Sequence, residues 1–124
     1  DRGFGDMRNL DFISIEKPIR ENVDILTNPP YTFAKEFVLK AIELLSPKRK
    51  CFMFLKLQFL EGKARFKELF SKFPPKTIYV FSSRIMCAKN ANFKEMEAGG
   101  GSAVAYAWFV WEKGYNGRTT INWL

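Results

Sequence analysis

Asn28-Pro29-Pro30-Tyr31 gathers two hydrogen-bond acceptors and a flat ring within four residues, at the point where an apolar run gives way to a helical pattern. Asn28 offers a side-chain carbonyl, Pro29 a backbone carbonyl, and Tyr31 a ring on which a base or amide plane can lie. Successive prolines have a fixed φ and no N–H, so the chain leaves the strand along a stiff path, with carbonyls that lack local donors. A substrate amino group can supply those donors. The chemistry this set suits is reaction at a planar nitrogen. Two carbonyl acceptors turn the lone pair towards an electrophile and stabilise the growing positive charge, without a strong base. The chain contains no His, which excludes a Ser-His-Asp triad, a Cys-His pair and a His-based metal site.

The same residues also make ordinary turns and helix entries, so their setting matters. Val23–Thr27 reads as a short, fully buried strand, with Asp24 four residues ahead of Asn28. Thr32 is placed to cap the helix that follows. In that helix Phe33, Phe37, Ala41, Ile42 and Leu45 form one apolar stripe, and Ser46-Pro47 ends it. Cys51–Leu57 reads as a second buried strand. A second helix, from Gly62 to Phe73, carries Phe66, Leu69, Phe70 and Phe73 on its apolar face and stops at Pro74-Pro75. Thr77–Phe81 and Ala103–Trp111 are the third and fourth strands, and the segment from Thr119 to Trp123 is an additional edge strand or a docking tail. Between the third and fourth strands, Ser82–Ser102 ends in three glycines and reads as a functional or mobile connection.

This alternation predicts an α/β fold, a mostly parallel sheet with an antiparallel last strand. The 124 residues, 47% hydrophobic with 13 Phe, suffice for one domain with one core. The 20 Lys and Arg against 13 Asp and Glu leave a charge of +7, which favours approach to a polyanion. Cys51 and Cys87 lack any paired spacing and read as free thiols. No apolar stretch is long enough to span a membrane and no signal segment opens the chain, so a soluble, cytoplasmic protein is expected.

In this setting the tetrapeptide resembles the catalytic motif of the S-adenosylmethionine-dependent amino-methyltransferases, above all the adenine-N6 DNA methyltransferases. The order of elements is similar to the C-terminal half of the class I, Rossmann-like methyltransferase sheet. The likeness covers residues 6–112, and the tetrapeptide is its one specific motif. It implies that Asn28 and the Pro29 carbonyl accept the amino hydrogens, that Pro30 belongs to the same catalytic turn, and that Tyr31 stacks on the target ring. It implies S-adenosyl-L-methionine as cofactor, no metal, and DNA (or RNA) as substrate, with the target base flipped out of its duplex or presented on a single strand. Asp11 and Phe12 match a short motif that contacts the cofactor's adenine, or are a loop acid beside a core Phe. Phe93 is the candidate for the far side of the flipped base, or a tether of its loop to the core. Arg84, Lys89, Lys94, Lys63 and Arg65 are candidates for phosphate contacts, or a solvated surface.

The sequence departs from that family where the cofactor would be held. Gly3-Phe4-Gly5 has no strand before it, so the glycine-rich loop and the first two strands have no counterpart. The expectation is a partial domain, part of a longer reading frame, that needs its N-terminal half for catalysis and binds cofactor weakly alone. The alternatives are an amino-methyltransferase of RNA or of protein glutamine, and a non-catalytic nucleic-acid-binding or assembly module. In the family's sheet the Val23–Thr27 strand is paired on one side by that N-terminal half. Here it is an apolar edge blunted only by Asp24, which invites pairing with a second copy. Light scattering at micromolar concentration is expected to give a dimer or larger homo-oligomer, and a clean monomer would contradict the unprotected edge.

Overall fold

The computed structural model describes residues 12–13, 16, 21–83 and 104–124; the expectations for Asp11, Arg84, Lys89 and Phe93 fall outside them. In chain order the strands are β1 (Ile25–Thr27), β2 (Lys50–Lys56), β3 (Thr77–Val80), β4 (Tyr106–Glu112) and β5 (Thr120–Trp123), with helix α1 (Ala34–Leu44) between β1 and β2. Between β2 and β3 lie a 3-10 turn (Leu57–Leu60) and a short helix, α2 (Lys63–Arg65), that widens into a π turn over Phe66–Phe70.

The sheet has the order β1-β2-β4-β3-β5. β1 pairs in parallel with β2 and β5 with β3, whereas β4 is antiparallel to both β2 and β3, so one strand runs against the other four. The α/β class and the reversed fourth strand agree with the sequence. The Thr119–Trp123 segment is an edge strand beyond β3, not a tail.

Period-two burial gives the sheet one core face. On β2, Cys51, Met53 and Leu55 are buried and their neighbours half-buried; their partners on β4 are Trp111, Phe109 and Ala107, all buried. Phe37, Val38, Ala41 and Ile42 of α1 and Leu69 of the π turn complete this core. The other face carries a ring cluster in which Phe54 stacks on Tyr106 at 5.1 Å and meets Trp108 at 5.2 Å and Phe81 at 6.2 Å. A lysine fastens the end of α1: Lys113 Nζ donates to the Ile42 carbonyl at 2.7 Å and the Glu43 carbonyl at 3.1 Å. A cation is favoured there because the last carbonyls of a helix have no partners of their own.

Three expectations need correction. The Val23–Thr27 run is not a fully buried strand: it pairs only over Ile25–Thr27, and Leu26 is 63% exposed. Among the described residues β1 lies at the sheet's edge, and Leu26 points to the face away from the helices. The apolar stripe of α1 begins one turn later than read, because Phe33 stands at the N-cap and is exposed. The second helix is not a regular helix from Gly62 to Phe73. In the π turn Ser71 N–H donates to the Phe66 carbonyl, and this wider turn leaves Phe66 outside while Leu69 is fully buried. No helix among the described residues is long and apolar enough to cross a membrane.

The Lys76–Glu112 pair, 2.8 Å apart, bridges the start of β3 to the end of β4. The hydrogen bond from Lys76 holds the Glu112 carboxyl below its usual range, and the carboxylate raises Lys76 in turn. A carboxyl whose pKa falls on folding stabilises the fold above its unfolded pKa, about 4.3, and that contribution is lost as pH drops through the lower folded value. Lys76, raised, contributes below its unfolded pKa and loses the contribution as pH rises through the higher folded one. Thermal unfolding of Glu112→Gln is therefore expected to show a lower midpoint than the parent at neutral pH and convergence with it at acid pH. A constant gap down to strong acid would contradict the role of this pair.

Candidate functional site

At the end of β1 the two prolines set the local hydrogen bonding. Pro30 is extended (φ −64, ψ 134), its carbonyl accepts the Phe33 N–H at 3.0 Å, and the Tyr31 carbonyl accepts the Ala34 N–H. These bonds close a 3-10 turn over Tyr31–Phe33 that feeds α1. Thr32 does not cap the helix, as the sequence had led us to expect, because this turn already takes up the first donors; the N-cap is Phe33, with no side-chain bond. The Pro29 carbonyl and the exposed Asn28 side chain accept nothing from the other described residues.

The 3-10 turn after β2 supplies the second wall. Phe59, 1% exposed, stands edge-to-face with Tyr31 at 6.4 Å and 76°, and is held from behind by Phe70 at 5.8 Å and Phe109 at 5.9 Å. Tyr31 itself is 41% exposed, with Lys56 Nζ 4.9 Å from its ring centroid. A cleft of about 340 Å³ opens beside these rings, lined by Tyr31, Lys35, Glu36, Phe59, Lys63 and Arg65 among others. Lys35, on the cleft's lining, pairs with Glu68 of the π turn. That bond raises the Lys35 pKa and lowers that of Glu68.

The structure thus brings Asn28, Pro29, Pro30 and Tyr31 together at the carboxyl end of β1, where open α/β sheets form their ligand crevice. Other sequence candidates lie elsewhere. Phe12 is buried in the core, stacked on Phe37 at 5.0 Å, and does not line the cleft. Asp24 serves the opposite end of β1: its carboxylate accepts the Lys50 N–H at 2.9 Å and lies 3.0 Å from Arg49 Nε, an ion pair without hydrogen-bond alignment. Arg65 donates to the carbonyls of Phe59 and Glu61. Sequence reasoning missed Lys56 and Phe59, since a strand end and a tight turn have no periodicity to show which side chain faces Tyr31. A larger cavity, about 630 Å³, lies among Ile42, Phe73, Trp111 and Tyr115. It is at the amino end of the parallel strands, away from the acceptors. Among the described residues no cluster of three or more Cys, Asp or Glu could hold a metal ion.

No protein-family model matches the chain, and no curated protein matches it. The geometry makes unequal demands on the two rings of the site. Phe59→Ala is expected to cost about 3–5 kcal/mol of stability through the cavity it leaves. Tyr31→Phe should stay within about 0.5 kcal/mol, because the exposed phenol has no partner among the described residues. Denaturant unfolding of both variants checks this; a cost under about 1 kcal/mol for Phe59→Ala would show that Phe59 is no rigid wall.

Proposed function

We propose that this chain carries the amine-binding half of an S-adenosylmethionine-dependent methyltransferase that acts on the exocyclic amino group of adenine in DNA. One observation supports this most. Among the described residues the exposed Asn28 side chain and the Pro29 carbonyl receive no hydrogen bond, and they adjoin the half-exposed ring of Tyr31 at the carboxyl end of β1; of these residues Tyr31 alone lines the cleft walled by Phe59.

On this reading the adenine ring lies against Tyr31, and its amino group donates one hydrogen to the Asn28 side-chain carbonyl and the other to the Pro29 carbonyl. Fixing both hydrogens aims the nitrogen lone pair out of the ring plane, and the acceptors stabilise positive charge on nitrogen as it forms. Lys56, beside the Tyr31 ring, and Lys63, on the cleft's lining, suit the approach of a phosphate backbone. The cofactor, when bound, supplies an electrophilic methyl group. The described residues do not form a cradle for it. Gly62 follows the β2 turn, but the space a Cβ would take is filled by the Arg65 guanidinium, and Gly114 lies at the other end of the sheet. On this reading the cofactor is held by residues other than the described ones.

In the intact enzyme Asn28→Ala is expected to lower kcat by about 10²–10³, the effect of losing one acceptor of developing charge. DNA affinity should change by no more than a few-fold. Equal losses of rate and affinity would contradict the assignment, because they would make the turn a scaffold and not a group acting on the reacting nitrogen.

A further inference from the structure

Arg65 is the most constrained cation near the cleft. It projects from α2, whose first turn is closed by the Phe66 N–H to Gly62 carbonyl bond at 2.9 Å, back across the preceding turn. Its Nε donates to the Phe59 carbonyl at 2.8 Å, its Nη2 donates to the Glu61 carbonyl, and its guanidinium carbon lies 5.1 Å from the Phe59 ring centroid. One residue thus grips Phe59 by both backbone and ring. Gly62 makes the grip possible. Its φ of +152 is open to glycine, and a Cβ there would stand 2.9 Å from Arg65 Nη2 and 3.1 Å from its guanidinium carbon.

Phe59 in turn is the wall against which Tyr31 is set. We infer that Arg65 is a positioning residue: through Gly62 and the carbonyls of Phe59 and Glu61 it fixes the Phe59 ring, and through that ring the angle at which Tyr31 presents its face to the substrate base. Two of its five N–H donors are taken up by backbone carbonyls, which ties the guanidinium to the turn. Lysine cannot replace it, since one ammonium on a flexible stem does not reproduce a planar fork that meets two carbonyls while lying on a ring. The catalytic consequence rests on the proposed methyl transfer; the geometric one does not.

Two readouts test it. In the chain labelled with 3-fluorotyrosine, the Tyr31 fluorine resonance is identified as the one lost in Tyr31→Phe. Arg65→Met is expected to shift or broaden it while the Tyr79 and Tyr115 resonances stay in place, and Arg65→Lys to move it less in the same direction. In the intact enzyme Arg65→Met is expected to lower kcat about 10–100-fold, as a small misplacement near the reacting atoms does. Its KM for DNA should stay within about threefold, the signature of lost positioning and not of lost uniform binding. An unmoved Tyr31 resonance overturns the inference, as does a raised KM with unchanged kcat, which would make Arg65 a phosphate contact. Should Arg65→Met fail to fold, Arg65→Lys decides by the same two criteria. If the parent enzyme transfers no methyl group, the proposed function fails, and the fluorine resonance alone decides whether Arg65 sets Tyr31.

Discussion

The turn after β1 bonds the Pro30 and Tyr31 carbonyls but not that of Pro29, and the geometry of the site follows from that. Pro29 and Pro30 bring no N–H into the turn, so the first donor to reach back is the Phe33 amide, and it reaches only Pro30. Among the described residues nothing donates to the Pro29 carbonyl or to the Asn28 side chain. The two prolines fix the path of the backbone on which both acceptors sit. A more flexible turn would let both acceptors drift or find an internal partner, and a buried acceptor left unpaired is costly.

The two ends of the sheet do different work. At the amino end of β1 and β2, the chain closes on itself: Asp24 meets Arg49 and the Lys50 amide, Lys113 fastens α1, and Lys76 pairs with Glu112. At the carboxyl end a row of edge-to-face rings, Phe109, Phe59 and Tyr31, runs from the buried core to the surface, so a ring in contact with solvent leans on one that is fully packed. Packing at native density transmits position well, which is why a half-exposed ring can keep a defined orientation.

How much of this was legible in the sequence depended on how local its cause is. The stiffness of Asn28-Pro29-Pro30-Tyr31 comes from covalent geometry and could be read directly, as could the alternation that makes β2 and β4. The surroundings were decided by tertiary partners. Val23–Thr27 has a buried strand's composition, yet only Ile25 is buried, because β1 lies at the edge of the described sheet. The Phe66 to Phe73 spacing promised a regular helix, but a π turn carried Phe66 to the surface. Asp24 stood close in sequence to Asn28 and serves the other end of the strand. Phe59 meets Tyr31, and Arg65 comes to line the same cleft, only once β2 has paired with β1. No local pattern announces that meeting.

The central claim is that these acceptors bind the amino group of adenine in DNA for methyl transfer. Its most direct test is to incubate the intact enzyme with DNA and S-adenosylmethionine labelled in the methyl group, and then digest the DNA to nucleosides. The account predicts that the label is recovered as N6-methyladenine. Label recovered on a ring carbon of cytosine, or no label in DNA while RNA or a protein glutamine is methylated, would contradict it.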